Sequence, residues 1–199
     1  MLNIRLAAEA DHNAIWNIFH EIIAAGDTYA FDPGMSREEA LAYWFGAGTH
    51  TYAAEPAKGR LRPIGGEDRQ AVGDGAVVPG KPTASPTVEV QDRKIVGTYI
   101  LRANQAGPGA HVANAAYMVA KEARGLGVGR NMAEHSLSEA RRLGFRAMQF
   151  NFVVSTNTSA IHLWQQLGFK IVGTLPGAFR HSKLGYVDVY VMFRSLIED

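Results

Sequence analysis

The sequence predicts a mixed β-sheet flanked by helices, α+β in class and α/β-like in its alternation of elements. Three observations support this. Strand-like segments recur at 3–7, 94–101, 113–119, 147–154, 169–173 and 187–193. Segments with apolar residues at helical spacing stand between them. A run of alternating glycines, residues 125–129, joins one strand-like segment directly to a helical one.

Residues 3–7 alternate and read as the opening strand. Asp11 is a plausible N-cap for a helix from 12 to about 25, in which Ile15, Ile18, Phe19, Ile22 and Ile23 share one face. Gly26 and Asp27 stop it, and a connector carrying Thr28, Tyr29 and Phe31 follows. Ser36 with Glu39 three residues later forms a capping box for a second helix. Its Leu41, Trp44 and Phe45 fall at i, i+3 and i+4, and Gly46 and Gly48 end it. Residues 51–54 read as a second strand. The next 37 residues, 56–92, hold six glycines and five of the chain's eight prolines, a density that opposes helix and central strand. They read as an insertion within one domain spanning 1–199, either a loop with a short hairpin near 72–78 or a lid over the substrate. Residues 94–101 and the segment ending at Ala120 read as antiparallel neighbours. Met132, Ala133, Ser136, Leu137, Ala140 and Leu143 face the core from the helix after the glycine run, and Gly144 ends it. A strand at 147–154 leads to a helix capped by Ser155 or Thr156 and ended by Gly168. Two final strands close the chain.

Composition bounds the function. Lysine plus arginine number 20 against 19 acidic residues, so no basic face argues for nucleic acid. No apolar run approaches membrane-spanning length, and the first residues lack a signal peptide's pattern. Absence of cysteine excludes disulfides, cysteine metal sites and an acyl-cysteine intermediate. The seven histidines form no dense ligand cluster, so no metal is expected. A cytoplasmic protein is expected.

The run Arg124-Gly125-Leu126-Gly127-Val128-Gly129-Arg130 is the most informative part of the chain. Its glycines bring bare amides close to a ligand, and the helix that follows aims its N-terminal dipole at the same spot. That suits a phosphate or diphosphate. The nucleoside-triphosphate loop G-x-x-x-x-G-K-[ST] is absent. The dinucleotide fingerprint G-x-G-x-x-G fails too, at Arg130 or at Met132 depending on its start. What remains is Arg-x-x-Gly-x-Gly over residues 124–129, which alone also fits a plain strand-to-helix turn. This motif resembles the acyl-CoA diphosphate loop of the GNAT N-acetyltransferase superfamily. Downstream, Asn157, Ala160, Leu163, Trp164, Gly168 and Phe169 stand as in the superfamily's second signature. Residues 93–194 resemble the superfamily well. Phe150-Asn151, residues 154–157 and the tail from Ala178 to Asp188 look most like the azetidine-2-carboxylate N-acetyltransferases.

The resemblance implies a mostly antiparallel sheet that splays open between its fourth and fifth strands, with acetyl-CoA as cosubstrate. It implies acetyl transfer to the amine of a small amino or imino acid by direct attack in a ternary complex. Such chemistry needs an amine that has lost its proton, a donor for the developing oxyanion, and stabilisation of the departing thiolate. By resemblance, Val119, with Met118 adjacent, offers main-chain donors to the acetyl carbonyl. Amides from Arg124 through Gly125, Leu126, Gly127, Val128 and Gly129 to Arg130 would hold the CoA phosphates. Asn114 stands where many relatives carry a glutamate base, and Trp164 where many carry a tyrosine acid; neither replacement handles protons usefully. The azetidine-2-carboxylate family has asparagines at positions matching Asn114, Asn151 and Asn157. Asn114 would then hold the substrate carboxylate, Asn157 the pantetheine arm, and Asn151 would shape or polarise the acceptor pocket. Asn157 also fits a helix cap, Asn151 a satisfied strand residue, and Asn114 an exposed strand position. Thr28, Tyr29 and Phe31 stand where relatives form the acceptor wall, with aromatic core packing as the alternative; Phe179 and His181 near the final hairpin could also reach the pocket, His181 as a proton relay or carboxylate contact or else in a structural role. Relatives are often homodimers. The rival readings are an acetyltransferase for phosphinothricin, methionine sulfoximine or another small amine, a protein N-acetyltransferase, and a non-catalytic acyl-CoA-binding module.

Overall fold

The computed structural model describes residues 2–57 and 94–197. The expected insertion and its hairpin near 72–78 therefore lie, from residue 58 onward, outside the described residues. Seven strands among those described form one sheet: β1 (Leu2–Leu6), β2 (His50–Pro56), β3 (Gly97–Ala103), β4 (Val112–Val119), β5 (Ala147–Val154), β6 (Lys170–His181) and β7 (Gly185–Ser195). Their order is β1-β2-β3-β4-β5-β7-β6. Four α-helices accompany them: α1 (His12–Ala25), α2 (Arg37–Trp44), α3 (Val128–Arg142) and α4 (Thr158–Gln166). Every neighbouring pair of strands is antiparallel except β4 and β5.

That parallel pair is the centre of the architecture. β4 and β5 are in register only at Val112↔Ala147 and Ala113↔Met148. Beyond those two pairs the strands diverge, while β4 continues to Val119 and β5 to Val154. A fork opens inside the sheet, as the family resemblance implies. Its main-chain groups must find partners other than a neighbouring strand.

Packing holds the two sides of the fork in place. The apolar stripe of α1 is buried as its spacing predicts, and Gly26 ends the helix with φ 61°. Both halves of the Ser36–Glu39 capping box form on α2. Trp44 is fully buried, and its Nε1 donates to Thr98 Oγ1 at 3.0 Å on β3. Three tyrosines form a ladder across β2, β3 and β4. Tyr52 pairs with Tyr99, and Tyr99 with Tyr117, their ring centroids 4.6 and 5.5 Å apart. Each hydroxyl meets α3: Tyr52 donates to Glu139 Oε2 at 2.7 Å, Tyr99 meets His135 Nδ1 at 2.7 Å, and Tyr117 meets Ser136 Oγ at 2.6 Å. These bonds fix the position of α3 along the sheet, and with it the N-terminus of α3.

Glu139 also pairs with Arg142 at 2.8 Å. Bonds from Arg142 and then from Tyr52 hold its carboxyl down at about 2, against an ordinary value of 4.5. A depressed carboxyl stabilises the fold above its unfolded value, and that contribution is lost as pH falls from 4.5 towards 2. Glu139→Gln should therefore unfold more easily than the wild type at neutral pH. The gap should close on acidification, as read from denaturant midpoints across that pH range.

Several sequence expectations differ in detail. Asp11 does not cap α1: its backbone is helical, it ends a 3₁₀ turn, and its carboxylate accepts from Ala8 N–H and pairs with Arg5. Residues 94–96 precede β3 rather than belonging to it. The cap of α4 is Asn157, not Ser155 or Thr156; its Oδ1 accepts from Ala160 N–H at 3.2 Å. β6 runs on past Gly173 to His181, through two register shifts and Gly177 at φ 58°. Pro176 and Gly177 interrupt the alternation, so the sequence pattern stops short of the strand.

Candidate active site

Two cavities meet at the fork. The first, of about 440 Å³, is lined by the aromatic residues Tyr29, Phe31 and Tyr43 and by the polar residues Arg102, Asn114 and Asn151. The second, of about 710 Å³, lies under the glycine loop and the start of α3. Thr28, Tyr117, Asn157, Ala160 and Trp164 line both. These shared residues mark a junction through which groups held in the two cavities could touch.

The second cavity has the character of an anion site. Gly127 caps α3 with φ 75°, a left-handed conformation that only glycine adopts without strain. The first main-chain bond of the helix runs from Asn131 N–H to Gly127 O at 3.0 Å. The amides of Val128, Gly129 and Arg130 precede that bond, so none has an intrahelical partner. Gly125, Gly127, Val128, Gly129 and Arg130 all line this cavity, as does Arg124. A diphosphate fits this donor set, which supplies partial positive charge without a counterion. Leu126 does not line the cavity; its side chain packs against the core. The Arg130 guanidinium is held sideways by Gln166 and Glu134, so its backbone is the part directed at a ligand.

Alternation decides which β4 amides face the fork. Ala120 N–H donates to Val96 O, and Val112 O accepts from Asn104 N–H, so even-numbered positions bond towards β3. Odd-numbered positions face the opening. The Tyr29 hydroxyl shows this directly, donating to Tyr117 O at 2.5 Å and accepting from Tyr117 N–H at 3.1 Å. Burial pushes the Tyr29 hydroxyl well above the ordinary tyrosine range, so it stays a neutral hydrogen-bonding group. Val119, two residues on, shares this edge and lines the second cavity. Met118 points the other way. Its amide falls on the β3 edge, its side chain is fully buried, and it lines neither cavity. The expectation for Met118 is corrected on that ground.

The asparagines are engaged within the protein. Asn114 Nδ2 donates to Gln149 O at 2.9 Å, tying β4 to β5 just beyond their last paired residues. That bond commits one of its two amide N–H groups, and Asn114 still lines the first cavity. Asn151 Nδ2 donates to Asn104 Oδ1 at 2.7 Å, and its Oδ1 accepts from Gln149 Nε2 at 2.8 Å. It still lines the first cavity. Asn157 spends its Oδ1 on the α4 cap while lying at the junction. Thr28, Tyr29 and Phe31 line the first cavity. His181 lines the second instead. Phe179 lines neither: it packs with Val154 and Val189, behind the end of β5 that lines the first cavity, so it does not reach the pocket as expected.

Three contributors escaped the sequence reading. Arg102 lines the first cavity and belongs to β3, one residue beyond the strand-like pattern that stops at Leu101. Tyr43 falls outside the Leu41, Trp44 and Phe45 spacing, yet it packs against the core beside Phe31. Tyr117 was hidden in an apolar run. Trp164 packs against Tyr117 and Phe150, with centroids 4.9 and 4.7 Å away, and closes the junction as an aromatic wall. The single carboxylate lining either cavity, among the described residues, is Asp27, whose Oδ1 accepts from Thr28 Oγ1 at 2.6 Å. Among those residues no group of His, Asp or Glu is placed to hold a metal, and no helix is long and apolar enough to cross a membrane.

Comparisons with known proteins accord with this geometry. Residues 69–169 match the model of the acetyltransferase (GNAT) family. The chain is 31% identical over 170 residues to N-acetyltransferase aca1 of Schizosaccharomyces pombe, covering 85% of this chain and 72% of that protein. A GCN5-related N-acetyltransferase from Kribbella flavida is 40% identical, with a TM-score of 0.77 over 98% of this chain and 97% of that one. A GNAT superfamily phosphinothricin acetyltransferase from Sinorhizobium meliloti, solved in complex with AcCoA, shares the fold at 19% identity, with a TM-score of 0.71 over 98% and 88% of the two chains.

Proposed function

Because this chain belongs to the acetyltransferase (GNAT) family and is an N-acetyltransferase, we propose that it moves acetyl from acetyl-CoA to the amine of a small amino or imino acid. Azetidine-2-carboxylate and proline-related compounds are the first candidates. Detoxification of such an analogue, or a branch of proline metabolism, would be the physiological setting. The observation that carries the proposal is the meeting of two unlike cavities in one fork. One is lined by unpaired amides and suits a diphosphate; the other is small, aromatic-walled and suited to a compact acceptor.

The reaction needs few parts. A neutral amine in the first cavity attacks the acetyl carbon at the junction. The new C–N bond forms, the C–S bond breaks, and the thiolate leaves with CoA. The Val119 amide lies on the edge that would donate to the acyl oxygen, where a main-chain dipole stabilises developing charge. No glutamate or histidine lines the acceptor cavity among the described residues. Positioning therefore carries much of the catalysis, and a secondary ring amine, already a good nucleophile, suits such a site. The amine proton would pass through water to the Thr28–Asp27 pair beside the junction.

The proposal is tested with acetyl-CoA and a panel comprising azetidine-2-carboxylate, proline, phosphinothricin, methionine sulfoximine and short peptides, following free thiol. Thiol release is expected with the ring imino acids above all. Release only with phosphinothricin or methionine sulfoximine would move the substrate within the same class. Release only with peptides would overturn the small-acceptor reading.

A further inference from the structure

We propose that Arg102 is the acceptor's charge anchor, binding the carboxylate of the amino or imino acid and so selecting acids over plain amines. This deepens the reading above and rests on it. Arg102 is the one charged side chain that lines the acceptor cavity among the described residues. It is half-buried, and none of the ion pairs among those residues includes it. A cation partly withdrawn from water without a counter-charge favours an anionic ligand.

Its orientation is fixed from within the protein. Arg102 Nη2 donates to Tyr43 Oη at 2.8 Å, and its Cζ lies 4.6 Å from the Tyr43 ring centroid. Tyr43 in turn packs edge-on against Phe31, with centroids 4.9 Å apart. The guanidinium has five N–H donors, and this arrangement commits one of them. The rest suit a two-pronged contact with a carboxylate. Arg102 and Asn114 are cross-strand partners, so their side chains leave the sheet on the same face as near neighbours. Asn114 spends one of its two amide N–H groups on Gln149 O, and Arg102 supplies the charge that draws an acid to this wall. A carboxylate held there fixes the adjacent amine in a small cavity that opens on the junction.

The test compares L-azetidine-2-carboxylate and L-proline with their carboxamides, in wild type, Arg102→Gln and Arg102→Lys. Wild type should favour the acids. In Arg102→Gln the acid-to-carboxamide ratio of kcat/KM should fall roughly 10- to 100-fold, chiefly through the KM of the acid. Arg102→Lys, which keeps the charge but loses the fork, should retain part of the preference. The KM for acetyl-CoA should not move, which reports an intact fold. Calorimetric titration of the acid into CoA-loaded protein should show the same loss of affinity in Arg102→Gln. If that variant keeps the wild-type preference for acids, the anchor is overturned while the small-amino-acid reading survives. If wild type itself neither binds nor prefers the acids, both fall together.

Discussion

Gly129→Ala should raise the dissociation constant for acetyl-CoA roughly tenfold or more, the loss of about one charge-assisted hydrogen bond, while the fold becomes at least as stable as before. The two halves of that result have separate causes. Residue 129 lies in the first turn of α3, so a side chain there meets no backbone strain. A Cβ would sit 3.9 Å from Leu163 Cδ2 and Val119 Cγ2, ordinary contact distances. Alanine also favours helix over glycine, by up to ~1 kcal/mol. Nothing in the protein therefore demands glycine at this position; a ligand lying against the bare amide would. Gly127→Val is the contrasting case. Its φ of 75° strains any side chain by ~1–2 kcal/mol, so both thermal stability and CoA affinity should fall. Calorimetry with CoA and thermal melts of the two variants separate ligand crowding from backbone damage. Unchanged CoA affinity in Gly129→Ala would remove the diphosphate from the start of α3.

Much of this was legible in the sequence because it depends on local patterns. The apolar stripe of α1, the capping box at Ser36 and Glu39, and the glycine run before α3 each specify structure within a few residues. β5 matches its predicted span because both of its ends carry clear breaks, Gly144 before and the α4 cap after. The site was less legible. Whether Met118 or Val119 faces the fork depends on one residue of register, which is set by pairing with β3 and not by the β4 sequence. The bond from Asn114 to the Gln149 carbonyl has no local signal, because its partner lies 35 residues away on another strand. Phe179 packs behind Val154 and Val189 on a part of β6 that follows Pro176, and the proline hides that strand from the sequence pattern. Arg102 gave no signal of its own: one arginine at a strand end is ordinary until the cavity beside it is known.

Asn114→Asp should damage the enzyme far more than Asn114→Leu, and the difference distinguishes two roles for this position. If Asn114 bound the substrate carboxylate, both variants would lose that contact, and the acid-to-carboxamide preference would collapse in each. The structure gives Asn114 the bond to Gln149 O that ties the fork, and gives the charge to Arg102 beside it. Leucine removes only the tie, leaving a carbonyl without its donor, at a cost of ~1–3 kcal/mol in stability. Preference for acids should survive. Aspartate also loses the tie, but it places a carboxylate opposite Arg102, close enough to neutralise the guanidinium. The introduced charge would occupy the anchor that the substrate needs and repel the substrate's own carboxylate. Use of azetidine-2-carboxylate should then fall roughly 100-fold in kcat/KM, while the carboxamide, which carries no charge to be repelled, falls much less. Steady-state assays of both acceptors on both variants read this difference. Equal loss of preference in the leucine and aspartate forms would return the carboxylate to Asn114.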